Sequence, residues 1–225
     1  ELAKLPTPSC TIVARQDRRG GLQGIHVTLQ TRDGEAESFK MGWGDFASTI
    51  SKSSLSPTVA QRSLAVLRRL EQAERKVHRS RTEDPSPHPH ELGTLDTLID
   101  VVGTIAGLEL LGVERLYASP IPMGSGVFKA AHGPLPAAAP ATMELAAMAK
   151  APVATPPNGY TGELVTPTGA ALITELAEFS QPIIQLEHVG YGLGTRNPEN
   201  YPNAVALWVG EVNSKEVASG LTMLE

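Results

Sequence analysis

Apolar positions along this chain follow two periodicities, and their order sets the expected fold. Residues 10–16 and 22–31 alternate as strands do. In the second, Ile25, Val27 and Leu29 interleave with His26, Thr28 and Gln30, which predicts one buried and one wet face, with His26 on the wet one. Arg18-Arg19-Gly20-Gly21 supplies the hairpin connection. A polar, glycine-bearing loop covers 33–44, with a short helix at 45–50. Ser56-Pro57 then starts a helix, Ser as N-cap and Pro at the first helical position. Val59, Leu64, Val66 or Leu67, Leu70, Ala73 and Val77 carry it at helical spacing to about His78, and Arg68, Arg69, Arg75 and Lys76 line its solvated side.

A second strong helix signal runs from Thr94, as N-cap, through Leu95, Leu98, Ile99, Val102, Ile105 and Leu108, closed by Gly112. Gly103 and Gly107 inside it predict close packing on a neighbour. A strand at 114–119 ends at Pro120 and Pro122. Met123-Gly124-Ser125-Gly126 reads as a turn, 127–131 as a further strand and 135–139 as an extended, polyproline-like piece. Pro140 opens a short helix to Lys150, and Thr166-Pro167 caps another to Phe179. Strands at 183–189 and 204–211 follow. Strands at both ends with helices between predict an α+β (mixed α/β) fold, a mixed sheet with helices packed on it. The expected organisation is a single core domain over 1–211, with a loop at 33–55, a linker at 79–89 and a polar tail at 212–225.

Composition narrows the function classes. The 225 residues carry a formal net charge of −5, which argues against a general nucleic-acid binder. One cysteine, Cys10, excludes an intrachain disulfide and fits a reducing compartment, so a cytoplasmic location is expected. No apolar run approaches the length of a membrane span. The chain opens at Glu1, inside what reads as a helix end, which fits a piece of a longer protein.

Candidate chemistry concentrates between His88 and Asp100. Pro89 biases His88 toward extended backbone, and in extended chain His88 and His90 share a face. Glu91 follows, Gly93 breaks the chain, and Asp96 and Asp100 sit one turn apart on the helix from Leu95. Imidazoles and carboxylates at a loop-to-helix junction suit a divalent transition metal. The same residues also read as ordinary helix caps after a solvated turn. His132 is a further candidate ligand. Anion sites are the second theme. The helix start at Thr166 leaves the amides of Thr168, Gly169 and Ala170 outward, an arrangement that serves an anion as readily as a simple cap. Gly190-Tyr191-Gly192-Leu193-Gly194-Thr195-Arg196 reads as a glycine-rich turn that lets backbone amides approach a ligand, with Arg196 as a phosphate fork.

Taken together these motifs resemble the nickel-insertion proteins of nickel-pincer cofactor synthesis (the LarC family), in order and over residues 1–211. The resemblance is carried by the segment from Ala73 to His78, His90-Glu91-Leu92-Gly93, Asp96, Asp100-Val101-Val102-Gly103, Leu110-Leu111-Gly112-Val113 and Tyr117-Ala118-Ser119-Pro120. It continues through Gly124-Ser125-Gly126, Ala131-His132-Gly133, Ala139-Pro140-Ala141-Thr142, Gly162 to Ala171 and Gly190 to Arg196. It implies insertion of nickel into pyridinium-3,5-bisthiocarboxylic acid mononucleotide, CTP-dependent in the family, with the product serving lactate racemase-type apoenzymes. In that light the nickel candidates are His88, His90, Glu91, Asp96, Asp100 and His132. The candidates for the substrate phosphate are Gly124, Ser125, Gly126, Thr168, Gly169, Gly192, Gly194 and Arg196. The resemblance also implies a nickel-inserting lyase or cyclometallase as the full-length activity, with catalytic residues unassigned. Here the family's N-terminal strand and C-terminal domain are expected to lie outside the chain, the latter holding CTP and its divalent cation and acting as a partner polypeptide or domain. The histidine-rich tract common in the family near Gly34 to Gly44 is absent, and Asn197 stands where an Asp is frequent. Rival expectations are a nickel-binding chaperone or scaffold that turns nothing over, and a metal-dependent phosphoester hydrolase. A homo-oligomer is compatible with all three.

Overall fold

The computed structural model describes residues 1–7, 10–31, 34–35, 40–79, 92–130, 133–155, 162–199 and 201–212. Its chain contacts divide into two compact units, Glu1–Val13 with Thr28–Phe179, and Ala14–Val27 with the chain from Ser180 onward.

The first unit is helical at its centre. Among the described residues it holds five α-helices: α1 (Trp43–Ser51), α2 (Pro57–Arg79), α3 (Leu95–Leu110), α4 (Pro140–Ala149) and α5 (Pro167–Leu176). α2 packs against all four others, and α4 packs against α5. Its stripe of Val59, Val66, Leu67, Leu70 and Ala73 is buried, together with Leu95, Leu98, Val101, Val102 and Ile105 of α3, Phe46 and Ile50 of α1, and Ala170 and Ala171 of α5. The outer side of α2 is more than a solvated face. Arg69 pairs with Glu175 of α5, Lys76 with Glu144 of α4, and Arg75 with Glu71 one turn back.

The caps follow the sequence closely. Thr94 Oγ1 accepts the amide of Thr97 at 3.3 Å, Thr166 Oγ1 that of Gly169 at 3.2 Å, and Ser56 Oγ that of Val59 at 3.1 Å. α3 ends where expected: Gly112 has φ 68°, and the Val113 amide donates back to Leu108 O at 3.0 Å. α5 is shorter than its pattern suggests, because the chain turns extended at Ala177. Of the two helical glycines, Gly103 packs beside the Leu2 side chain, 3.5 Å from where a Cβ would stand, whereas Gly107 faces open space.

Strands β1 (Cys10–Arg19) and β2 (Leu22–Thr31) form the hairpin around Gly20, and β3 (Gly34–Glu35) pairs antiparallel with the end of β2. Short ladders join β4 (Leu116–Tyr117) to β9 (Ala177–Glu178) and β5 (Ile121–Pro122) to β8 (Val153–Ala154), both parallel. An antiparallel ladder joins β6 (Val127–Ala130) to β7 (Gly133–Pro136), so part of the expected polyproline-like piece is strand. The strand expected over 114–119 shrinks to two residues. At the hairpin base Cys10 and Leu29 pack against the helical core.

The second unit is a sheet. β10 (Ile184–Leu193) and β11 (Ala204–Val212) form a long antiparallel pair, and β10 meets β2 in parallel at Gly192 and Ile25. The sheet order is β1-β2-β10-β11, so the strand pairs from the two chain ends lie in one mixed sheet, and the fold class is α+β. One expectation fails here. Ile25 and Val27, placed on a buried face by alternation, are 41% and 57% exposed.

Truncation in the core should be costly. Leu70 and Leu98 are fully buried. Leu70→Ala and Leu98→Ala should each lower stability by about 2–5 kcal/mol in urea melts. A loss under about 1 kcal/mol for both would show that α2 and α3 are not the centre of the core.

Candidate functional site

The junction that leads into α3 is built by three contacts. Leu92 packs against the core cluster, Gly93 O accepts the Met41 amide at 2.8 Å, and Lys40 pairs with Thr94 as an isolated bridge. The segment before α1 is therefore fastened to the segment before α3. On the same segment Gly42 N donates to Asp45 Oδ2 at 2.7 Å and caps α1. Lys40 and Met41 were not singled out by the sequence, because a bridge between distant segments has no local signature.

α3 then presents two carboxylates. Asp96 stands in the first turn and Asp100 one turn later. Burial pushes the Asp96 carboxyl up from its ordinary value. Asp100 is pushed up to about 7, first by burial and then by the negative charge of Asp96. Asp100 nonetheless keeps an exposed surface. Water at its carboxylate opposes the push. Thr94 and Thr97 beneath them are buried, and their hydroxyls lie 3.3 Å apart.

Of the six expected metal ligands, Asp96 and Asp100 lie on α3. His88, His90, Glu91 and His132 fall outside the described residues. Among the described residues no three His, Cys, Asp or Glu side chains converge as a metal would require.

The expected phosphate-binding residues belong to both units, Gly124 to Gly126, Thr168 and Gly169 to the first and Gly192, Gly194 and Arg196 to the second. Gly124 to Gly126 are held by other chain. The Gly162 amide donates to Ser125 O at 2.9 Å, the Ala137 amide donates to Gly126 O at 3.0 Å, and a Cβ on Gly124 would stand 1.8 Å from Gly162 O. Glycine is needed there for backbone-on-backbone packing. At α5 the Gly169 amide is taken by Thr166, and Thr168 is buried. The stretch from Gly190 onward corrects the sequence reading. Gly190 and Gly192 are inside β10, in register with Leu207 and Val205, and not in a turn. Their amides belong to a sheet rather than to an open loop. Gly194, just past the strand, exchanges contacts with Asn203 and Arg19. Its amide donates to Asn203 O at 2.9 Å, and its carbonyl accepts Arg19 Nε at 2.6 Å. Asn203 Nδ2 donates to Arg196 O at 3.0 Å. Arg19 is only 5% exposed and also pairs with Asp17.

Two pockets in the first unit lie along α2. One of about 250 Å³ is lined by Trp43, Phe46, Leu64, Leu67, Arg68 and Glu71. A neighbour of about 350 Å³ lies beside Arg68, Arg69, Gln72, Met148 and Glu175. Neither contains an expected ligand.

Two outcomes follow from this geometry. Because the folded-state pKa of Asp100 lies above its unfolded value of about 3.9, the folded state holds the extra proton between the two values. Stability should therefore fall as pH rises through that window, and the fall should be smaller in Asp100→Asn, read as melting temperature from pH 4 to 8. Equal slopes in the two proteins would show that Asp100 titrates normally. Separately, Gly124→Ala should destabilise by about 1–3 kcal/mol, whereas Gly192→Ala should stay within about 0.5 kcal/mol of the parent in urea melts. The reverse order would show that the Gly124–Gly162 contact is not tight.

The chain is matched over residues 1–225 by a family described as nickel insertion protein. A pyridinium-3,5-bisthiocarboxylic acid mononucleotide nickel insertion protein from Desulfitobacterium hafniense is 36% identical over 218 residues, covering 96% of this chain and 52% of its own length. A candidate nickel insertion protein from Thermomicrobium roseum is 46% identical over 200 residues, 89% of this chain and 47% of the relative. Another from Roseiflexus castenholzii is 39% identical over 227 residues, 100% of this chain and 55% of the relative. The chain thus spans about half the length of the curated relatives it matches. No solved structure matches it.

Proposed function

Because the chain belongs to the nickel insertion protein family, we propose that it is the metal- and substrate-handling part of a nickel-inserting system. The substrate in this reading is pyridinium-3,5-bisthiocarboxylic acid mononucleotide, the compound in the name of the Desulfitobacterium hafniense relative. The observation that carries the proposal is the family match across all 225 residues.

The chemistry at the head of α3 supports it. Nickel is the substrate metal, and it favours imidazole nitrogen with carboxylate oxygen in support. His88, His90 and Glu91 precede a junction fixed by Gly93 and Thr94, and Asp96 and Asp100 follow it on one helix face. His132 is the sixth candidate. CTP and its divalent cation, on this reading, act on the half of the relatives that the chain does not match, and the product is passed to a lactate racemase-type apoenzyme. The reaction is that of a lyase-class cyclometallase, and its compartment is the cytoplasm. Among the described residues no helix is long and apolar enough to cross a membrane.

Calorimetric titration of the purified chain with nickel, zinc and magnesium tests the proposal. About one nickel per chain is expected, bound more tightly than magnesium because imidazole ligands suit nickel and not magnesium. The double variant His90→Ala, His132→Ala should weaken nickel about tenfold or more. Nickel binding unchanged by both substitutions would remove the metal from the α3 junction. Tight nickel with no product formed, even with the relatives' other half and CTP supplied, would turn the reading to a nickel chaperone.

A further inference from the structure

Among the described residues of the second unit, most large apolar side chains of the sheet are exposed, with Leu193 the buried exception. Pairing puts Val205 beside Gly192 and Leu207 beside Gly190, and Gly192 in turn beside Ile25. Residues in register share a face, and alternation adds Val27 to it. On that face Val205 is 73% exposed and Leu207 36%, flanking Gly192 and Gly190 from one side, while Ile25, 41% exposed, flanks Gly192 from the other and Val27 continues that ridge toward Gly194. Between the two apolar ridges the central strand offers only glycine. A Cβ on Gly190 or Gly192 would meet nothing within 4 Å. The result is a trough with a bare-backbone floor. Its ridges lie two strand spacings apart, about 10 Å, which is about the diameter of an α-helix with its side chains.

The opposite face does not explain the exposure. Antiparallel sheets commonly leave one face in water while the other is buried. Here Val189, Tyr191 and Trp208, on the other side of β10 and β11, are exposed as well. Apolar side chains exposed on both sides of these strands, Leu193 apart, call for cover, and stable domains close such a sheet with another layer. β11 is also an edge strand, apolar from Ala204 to Val209.

We propose that the Gly190–Gly192 trough, with Ile25, Val27, Val205 and Leu207, is the docking surface for the polypeptide that makes up the other half of the full-length relatives. The inference rests on the family reading above and gives the partner expected there a surface. Its occupant is argued from length. The relatives carry about as many residues beyond the matched part as within it, with matched shares of 47% to 56%. A partner of that size can supply a layer for this sheet. The alternation of glycine in the central strand with apolar residues on its neighbours then has a physical use: side chains of the incoming layer seat against backbone, and the ridges enclose them. A phosphate site would call for a glycine-rich loop with amides turned outward, whereas Gly190 and Gly192 lie within the β10–β11 ladder.

Co-expression of this chain with the unmatched half of the Thermomicrobium roseum relative, with an affinity tag on that half only, tests the surface. The two should co-purify at one to one. The double variant Val205→Asp, Leu207→Asp should reduce recovery of the chain about tenfold or more, as should Gly190→Leu, which fills the trough, while Lys52→Glu leaves it unchanged. Far-UV circular dichroism on each variant separates lost docking from lost fold. Undiminished co-purification of the trough variants would overturn the proposal, and so would absence of any complex. Concentration-dependent self-association of the chain, abolished by the same substitutions, would assign the face to a second copy instead. Nickel titration of the trough variants keeps the two readings apart, since a failed dock with intact nickel binding sinks only the surface.

Discussion

Burial of the apolar stripe of α2 is the constraint on which the first unit depends. The helix is 23 residues long, so it offers several turns of one-sided apolar surface, more than a single neighbour covers. α1, α3, α4 and α5 all lie against it. That arrangement decides where α3 sits, and α3 in turn decides where Gly93, Thr94 and the two aspartates stand. The ion pairs from Arg69 to Glu175 and from Lys76 to Glu144 reach from α2 to α5 and α4 and fix the packing angle more than they add stability, since partly exposed pairs contribute about 1 kcal/mol or less.

Much of the helical unit was legible in the sequence because its signals are local. Ser56, Thr94 and Thr166 cap as their residue types demand, Pro57 and Pro167 start their helices, and Gly112 takes the left-handed conformation that ends α3. Each depends on a few consecutive residues. Less legible were features created by distant chain. Nothing near Gly124 announces Gly162, and nothing near Lys40 announces Thr94, yet backbone contact with those partners fixes both places. The glycine-rich stretch misled for a related reason. Alternate glycines suggest a turn when read alone, but the long β11 partner extends the ladder through Gly190 and Gly192. Tertiary pairing overrides the weak strand propensity of glycine.

The exposed alternation in β2 is a different kind of discrepancy. The periodicity of Ile25, Val27 and Leu29 is real, and Leu29 does pack against the helical core. Alternation reports that a face is made for burial; it does not report which polypeptide buries it. Along one strand the face is satisfied at one end and bare at the other, which is what a sheet shared between a chain and an additional layer would show.

The aspartate pair on α3 joins fold and chemistry. Two like charges one turn apart cost a few tenths of a kcal/mol on an isolated helix, and partial burial raises that cost by removing water. The helix N-terminus offsets part of it for Asp96 and less for Asp100, since the dipole's effect fades within the first turn. The upward push on both carboxyls is the same imbalance seen from the proton's side. A proton relieves it, and so does a cation. A divalent metal held by imidazoles at the Gly93 junction would neutralise both carboxylates without being their sole support. On the proposed reading, that is the sense in which a carboxylate pair at the head of a well-packed helix would suit nickel handling: the pair costs the folded protein when no cation is near and costs it less when one is bound.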